Sequence, residues 1–236
     1  MEVHPRLIVM LCLIASCYGG FIQSEHPQLA FCEADFVIRA HIDSGPETEG
    51  NYFVFKITIK EIFKGLSLGR QGKAFGLLET EFKTKLYSPD GSTSDKVTGP
   101  FGIRTGVEYL LFGDILHGGR LFTKFSFLRE DWRTVTPRKK ANLRGYYEAG
   151  CRQCQIRPCG ESDLECRKKL PGCDKRATQT PYLYQWTLLS RCWKQFEHCE
   201  VDATGLQCYW NETRESKRCK ERNSLPLPFR GNSYDA

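Results

Sequence analysis

The chain has 236 residues, of which 26% are charged, and its formal net charge is +6 at pH 7. This charge is modest for the length, and Lys and Arg are interspersed with Asp and Glu, so nucleic acid is not expected as a partner. The twelve cysteines are more informative, because they indicate a chain that forms disulfides.

The N-terminal residues predict export. The apolar run Leu7–Ala15 is too short to span a bilayer and suits the core of a signal peptide. Cleavage after Ser16 leaves eleven cysteines, whereas cleavage after Gly19 leaves ten, all of which can pair. We therefore expect residues 1–19 to be a signal peptide, Gly20 to begin the mature chain, and the product to be secreted to the extracellular space or matrix without a membrane span.

The remaining cysteines are unevenly distributed, which predicts two domains. None occurs between Cys32 and Cys151, and eight more follow Cys151 up to Cys219. The first part is long enough to bury its own core, whereas the second is short and depends on disulfides. Export makes zinc ligation by these cysteines the weaker alternative. The predicted parts are 20–151, 152–219 and a flexible tail, 220–236.

Alternating residues predict strands in the first domain. In Tyr52–Ile59 the apolar side chains fall on one face, and Phe36–Ile42 is a second strand. The intervening Asp43–Gly50 is rich in turn residues and predicts a hairpin with a long tip. Two further strands, Val107–Phe112 and Arg120–Phe127, are joined by a turn and complete a small antiparallel β-barrel. The residues of that turn are Gly118 and Gly119.

One short helix is predicted at the end of this domain. Thr136 is a favourable N-cap, Pro137 suits the first helical position, and the helix extends from Arg138 towards a breaker at Gly145. Its basic residues are interpreted as a solvated face, with sulfated glycans of the matrix as an alternative partner. These residues are Arg138, Lys139, Lys140 and Arg144.

Two local signals complete the reading of the chain. Ser88–Gly102 is rich in Gly, Pro, Ser and Asp and predicts a mobile surface loop. Asn211 opens the triplet Asn-Glu-Thr, which predicts an N-linked glycan on an exported chain.

The sequence does not indicate an enzyme. It carries no nucleophile elbow, zinc-protease helix, paired carboxylates or phosphate-binding loop. The histidines beyond the signal peptide have no metal-type spacing, so we expect them to be structural or exposed and expect no cofactor of the chain's own. They are His26, His41, His117 and His198.

One motif points to a family. The run His26, Pro27, Gln28, Leu29, Ala30, Phe31, Cys32, followed by Asp35 and by Val-Ile-Arg-Ala at 37–40, resembles the opening of the tissue inhibitors of metalloproteinases. The likeness extends through 109–132 and 146–159. It implies a mainly β fold, a five-stranded OB-type (netrin-like) barrel with flanking helices, and a small disulfide-knit C-terminal module.

The resemblance also implies a disulfide pattern. It pairs Cys32 with Cys151, Cys154 with Cys208, and Cys159 with Cys166. Four cysteines then remain, and three connectivities are open to them. These are Cys173, Cys192, Cys199 and Cys219.

The chain departs from the family at its N-terminus. The family begins with Cys-x-Cys, whereas the matching residues here are Gly20, Phe21 and Ile22. A partner cysteine is replaced as well, by Phe125, so apolar packing of Ile22 on Phe125 is our hypothesis for the lost crosslink.

The resemblance implies an inhibitor of zinc metalloproteinases that binds through its N-terminal segment. The backbone amine and carbonyl of Gly20 would meet the catalytic zinc of the partner protease, and Phe21 would enter its specificity pocket. The alternative function is a matrix or structural binding protein that no longer inhibits.

Overall fold

A computed structural model describes residues 26–65, 82–89, 102–124, 127–157, 165, 168, 172–174 and 183–224, with only the backbone for 183–187. Its strands are β1 (Phe36–Glu49), β2 (Tyr52–Lys64), β3 (Phe82–Pro89), β4 (Glu108–Leu116), β5 (Arg120–Phe122), β6 (Arg129–Asp131), β7 (Gln155–Arg157), β8 (Gly172–Asp174), β9 (His198–Val201) and β10 (Cys208–Asn211). The helices are α1 (Pro27–Glu33), α2 (Pro137–Ala141), α3 (Tyr147–Gln153), α4 (Leu183–Phe196) and α5 (Arg214–Ser224), and a π-helical segment (Asn142–Tyr146) joins α2 to α3.

Strands β1 to β5 close into a barrel. The sheet order is β1-β2-β3-β5-β4-β6, and β1 also pairs with β4, so a ring of five strands forms with β6 added on the outside. All pairs are antiparallel except β3 with β5. The predicted fold class, a five-stranded OB-type barrel with flanking helices, is confirmed.

Two faces of the same strands fill two separate cores. Alternate residues of β1, among them Phe36, Ile38 and Ile42, point into the barrel beside Phe55 and other residues of β2. The predicted apolar face of β2 is thus the inner one. Between these positions Val37 points outward, into a second core under the helices, because side chains on a strand alternate. The other members of the outer core include Phe31, Leu110, Phe112, Trp132 and Tyr147.

The remaining described elements form a C-terminal module, by which we mean β7 to β10 with α4 and α5. β9 and β10 form an antiparallel hairpin, and β7 pairs in parallel with β8. The structure pairs Cys32 with Cys151 and Cys154 with Cys208, as the resemblance implies. Of the three open connectivities it has Cys173 with Cys199 and Cys192 with Cys219. Cys159 and Cys166 lie outside the described residues.

The hairpin between β1 and β2 has a short tip, so the prediction of a long one is wrong. β1 continues to Glu49, which pairs with Tyr52, and only two residues form the turn. The turn-forming residues instead produce register shifts after Ile42 and Ser44. At Gly45, φ is +120° and an added Cβ would lie 2.8 Å from the Val54 carbonyl oxygen, so glycine permits the close approach of the two strands.

Two other element boundaries also differ from prediction. β5 ends at Phe122 rather than continuing to 127, since Thr123 turns to donate its hydroxyl to the Phe112 carbonyl at 3.0 Å. Gly145 does not end the helix that begins at Thr136, because it adopts a helical conformation within the π segment and the chain stays helical to Gln153.

The predicted solvated face of this helix is also wrong in part. Lys139 is 2% exposed, and its Nζ lies 2.5 Å from a carboxylate oxygen of Glu130. A buried lysine is tolerated because that carboxylate balances its charge. The Thr136 cap is confirmed, since its hydroxyl accepts from the Lys139 amide.

The start of the predicted flexible tail must also be moved. Helix α5 continues past Lys220 to Ser224, and Lys220 itself lies 2.5 Å from carboxylate oxygens of Glu197 and Glu212. Residues 225–236, and most of the predicted loop at 88–102, lie outside the described residues. The division into domains stays a prediction.

Removing one bridge of the module tests how far the module depends on disulfides. Replacing Cys192 and Cys219 with alanine should lower the free energy of unfolding of α4 and α5 by about 2 to 5 kcal/mol. Among the described residues, the barrel interior contains no cysteine, so β1 and β2 should keep their amide protection. Hydrogen exchange measured by mass spectrometry would compare the two regions. An equal loss of protection in β1 would contradict this prediction.

Candidate functional site

The three residues of the predicted inhibitory wedge, Gly20, Phe21 and Ile22, lie outside the described residues, as does Phe125. The described residues begin at His26, four positions after Ile22. Helix α1 carries the family motif and lies at the start of the described part of the chain, next to the predicted wedge in sequence.

His26 caps helix α1 from inside an aromatic pocket. Its Nδ1 accepts the Gln28 amide at 3.2 Å, which requires a neutral ring protonated on Nε2. The ring is 1% exposed, and its centroid lies 4.7 Å from that of Trp193 and 5.0 Å from that of Trp210. Burial lowers the pKa of His26 from 6.5 to about 3, with some opposition from the Trp193 backbone.

Gln28 joins helix α1 to the C-terminal module. Its side chain is fully buried, and the carboxamide pairs with both peptide groups of Cys199: Oε1 accepts from the amide at 2.7 Å, and Nε2 donates to the carbonyl at 2.9 Å. Nε2 also approaches the Cys154 carbonyl at 3.5 Å. The Gln28 carboxamide thus makes the two hydrogen bonds that a neighbouring strand would make with Cys199 of β9, one to its backbone N–H and one to its carbonyl.

This contact depends on a glycine in α3. A Cβ added at Gly150 would lie 2.2 Å from the Gln28 Nε2 and 2.8 Å from the Cys199 carbonyl oxygen. Both distances are shorter than van der Waals contact allows. Only glycine therefore permits α3 to pass this close to Gln28 and β9.

The C-terminal half of α1 is held by the barrel. Phe31 is buried in the outer core, and the Cys32–Cys151 bridge joins α1 to α3. Lys64 at the end of β2 donates to the carbonyls of Phe31 and Cys32 at 2.9 and 2.8 Å. A cation at this position also suits the negative end of the helix.

A cleft of about 390 Å³ opens beside Pro27, between the barrel and the module. Leu128 and Leu188 supply apolar walls. Its charged lining is Arg129, Glu130, Lys139, Arg191 and Lys194. Lys139 and Glu130 balance each other, so the excess of positive charge comes from Arg129, Arg191 and Lys194, and such an excess favours anionic ligands.

The described histidines other than His26 take structural or surface positions. His198 is buried, lies 2.7 Å from a carboxylate oxygen of Glu200 and packs on Tyr146, and burial lowers its pKa. His41 lies at the surface beside Asp43. Within the described ranges, no group of three or more His, Cys, Asp or Glu is arranged to hold a metal ion.

Asn211 lies half-buried in β10, where its Nδ2 donates to Glu200 at 2.7 Å. A glycan on Asn211 stays a prediction. Among the described helices, none is long and apolar enough to cross a membrane.

Sequence reasoning missed the residues that hold α1 in place. Trp193, Trp210 and Gly150 belong to elements remote from the motif, and none has a spacing that relates it to His26 or Gln28. The one signal in the sequence is the polar character of His26 and Gln28, which flank a proline at the start of a short apolar helix. Polar side chains buried there need hydrogen-bond partners.

The closed five-stranded barrel with its flanking helices and the disulfide-linked module define a netrin-like, OB-type fold. The family model for tissue inhibitor of metalloproteinase matches residues 16–210. This chain belongs to that family, whose members are inhibitors and not enzymes.

Curated relatives agree with this assignment. Metalloproteinase inhibitor 2 of Gallus gallus is 31% identical over 135 residues, which is 57% of this chain and 58% of the relative. Metalloproteinase inhibitor 2 of Homo sapiens is 30% identical over 153 residues, covering 65% and 66%. The chain thus matches about three fifths of the length of these relatives.

The glycine contact leads to a paired test of packing. Gly150→Ala should lower the free energy of unfolding by about 1 to 3 kcal/mol, because the added methyl overpacks the Gln28 contact. Gly145→Ala is the matched control, since nothing lies within 4 Å of its Cβ position and its φ is not positive. Chemical denaturation would measure both. If both variants were equally stable, the close approach at Gly150 would be refuted.

The buried His26 predicts a loss of stability in mild acid. Its folded-state pKa of about 3 lies below the ordinary 6.5, so the unfolded chain binds the proton first. The stabilisation is therefore present above pH 6.5 and is lost as pH falls below it, by about 1.4 kcal/mol at pH 5.5. The buried His198 acts in the same direction, whereas carboxylates titrate mainly below this window.

His26→Asn separates the contribution of this one histidine. Asparagine retains an N-cap acceptor but does not titrate. The difference in unfolding free energy between pH 7.5 and pH 5.5 should shrink by about 1.4 kcal/mol in the variant. An unchanged difference would mean that His26 binds a proton as readily in the folded protein as in the unfolded chain.

Proposed function

We propose that this protein is exported, cut after Gly19, and inhibits zinc metalloproteinases through the segment that begins at Gly20. Family membership supports inhibition, and the names of the curated relatives specify metalloproteinases as their targets. Zinc metalloproteinases are thus the proposed partners, and the proposed location is the extracellular space or matrix.

The backbone of Gly20 supplies the zinc-binding atoms in this proposal. The unprotonated α-amine and the carbonyl oxygen approach the catalytic zinc of the partner protease, so the chain needs no cofactor of its own. The α-amine has an ordinary pKa of about 8, and a zinc ion displaces its proton near neutral pH. Phe21 then enters the adjoining specificity pocket, which favours proteases with a deep pocket.

The fixed position of helix α1 is the observation that carries this proposal. His26 and Gln28 are buried, and Cys32 is crosslinked, so the segment before residue 26 leaves from a rigid point. Ordering is then required only for the few residues that precede it. Fixing three of them costs about 3 to 6 kcal/mol, which weakens affinity by roughly a hundredfold to ten-thousandfold.

The family's Cys-x-Cys is absent from this chain, so the conformational entropy of ordering the N-terminal residues must be overcome when the protease binds. The two bridges would restrain the segment before binding, whereas glycine at position 20 adds flexibility. We therefore propose weak and selective inhibition, with packing of Ile22 on Phe125 as the contact that limits the loss.

A second candidate function rests on the cleft beside Pro27. Its positive lining suits a sulfated glycan or another anionic component of the extracellular matrix. In this alternative the protein is a matrix or structural binding protein. Glycosylation at Asn211 is compatible with either role.

A single added residue tests the N-terminal mechanism. Protein that starts at Gly20 should inhibit, whereas the same protein with one extra N-terminal alanine should not, because the α-amine is displaced from the zinc. Titration against a collagenase-type and a membrane-anchored metalloproteinase would measure this, with N-terminal sequencing to verify each start.

Each other result has a distinct meaning. Equal inhibition by both proteins would place the reactive site elsewhere on the chain. Inhibition by neither would favour the matrix-binding alternative.

A further inference from the structure

We propose that the C-terminal module positions the N-terminal segment of this chain, through its contacts with His26 and Gln28, so that inhibition depends on the module as well as on the barrel. This inference rests on the proposed function, since it concerns how the inhibitory segment is held. His26 and Gln28 are positioning residues here and do not themselves meet the protease.

The module supplies several contacts on the N-terminal half of α1, in addition to those of Tyr147 and Gly150 in α3. Two of the rings around His26 are Trp193 of α4 and Trp210 of β10. Both peptide groups that pair with the Gln28 side chain belong to Cys199 of β9. Leu29 packs on the module's apolar cluster, which includes Ile156 and three cysteines.

The module's side of these contacts is itself rigid. Cys199 is crosslinked to Cys173 of β8, and the Trp210 ring nitrogen donates to the Asp174 carbonyl of the same strand at 2.8 Å. Cys199 and Trp210 are thus both tied to β8, the first by a disulfide and the second by a hydrogen bond. These ties hold the start of α1 in one orientation.

In the first domain, the Lys64 contacts and the Cys32 bridge act on the last turn of α1, while α3 places Tyr147 beside His26 and Gly150 beside Gln28. None of these contacts supplies the hydrogen bonds of the Gln28 side chain, which pairs with the backbone of Cys199. Helix α1 has seven residues, and helices this short are unstable without tertiary contacts. Without the module, the first turn of α1 would lose the partners of Gln28 and two of the rings around His26, and it would unwind towards Phe31.

The test compares two buried polar contacts in the full-length chain. Gln28→Ala removes the contact between α1 and β9. Ser216→Ala removes a hydroxyl that donates to the Glu197 carboxylate inside the module, a hydrogen bond in which α1 takes no part. Both variants are measured under conditions where circular dichroism shows that each is fully folded, so that loss of stability alone leaves inhibition unchanged.

The proposal expects different effects from these variants. Gln28→Ala should weaken inhibition at least about tenfold, as expected when one or more residues are freed. Ser216→Ala should leave the inhibition constant within about twofold of the original chain. A second pair of variants provides an independent comparison if Gln28→Ala does not fold. Gly150→Ala, which displaces the Gln28 side chain, should weaken inhibition, and Gly145→Ala should not.

Hydrogen exchange provides a readout that does not require inhibition. Amides at the start of α1 should exchange at least about tenfold faster in Gln28→Ala than in the original chain, with no such change in Ser216→Ala. If the original chain inhibits no metalloproteinase, the proposed function fails, and exchange still decides whether the module holds the segment. Unchanged exchange in Gln28→Ala, or equal weakening of inhibition by Gln28→Ala and Ser216→Ala, would overturn the proposal.

Discussion

The pairing of the Gln28 carboxamide with the backbone of Cys199 is the contact on which the arrangement of barrel and module depends. Each hydrogen bond contributes only about 1 kcal/mol net, but leaving either buried group unpaired costs about 1 to 3 kcal/mol. The carboxamide must therefore stay in register with β9. Gly150 makes room for it, and the Cys173–Cys199 bridge holds β9 in place.

The barrel strands have two buried faces because α1 and the α2–α3 helix cover part of the outside. In β1 the inner residues fill the barrel while Val37 contacts the outer core; in β4, Leu111 and Leu110 divide in the same way. Strands buried on both faces read as nearly continuous apolar runs, which is the pattern of 36–42 and 107–112. The cover thus ties the N-terminal helix to the most stable part of the fold.

Much of this fold could be predicted from local patterns. Period-two alternation identified the inner face of β2, Gly118 and Gly119 identified the turn before β5, and Thr136 with Pro137 identified the start of α2. These features are set by residues close together in the chain, so the sequence displays them directly. The prediction that the tail begins at residue 220 failed because α5 contains almost no apolar residues. The last part of this helix is instead held by charged contacts such as that of Lys220 with Glu197.

The remaining features depend on residues far apart in sequence. Pairing of the last four cysteines follows from where α4, α5, β8 and β9 meet, and no spacing encodes that. Lys139 is a different case: Glu130 is only nine positions away, but it lies on β6, and the pattern of the helix does not show that this carboxylate meets the lysine. His26 and Gln28 were identified as motif residues, but their partners Trp193, Trp210 and Cys199 lie more than 160 positions away.

The kind of restraint on the N-terminal segment has a physical consequence for the proposed inhibitor. A disulfide restrains a segment through a covalent bond that does not titrate in mild acid. The packing around His26 requires a neutral ring, because protonation of Nδ1 removes the acceptor that caps α1 and places a charge among Trp193, Trp210 and Tyr147. Lys139 and Lys194 add to that cost, since both lower the pKa of His26. Near neutral pH the ring is uncharged, so the Nδ1 cap and the packing against Trp193 and Trp210 both hold the start of α1. In the proposed function, tertiary contacts at His26 and Gln28 take the place of crosslinks next to the reactive residue, so the affinity proposed for the N-terminal segment depends on the integrity of the whole fold.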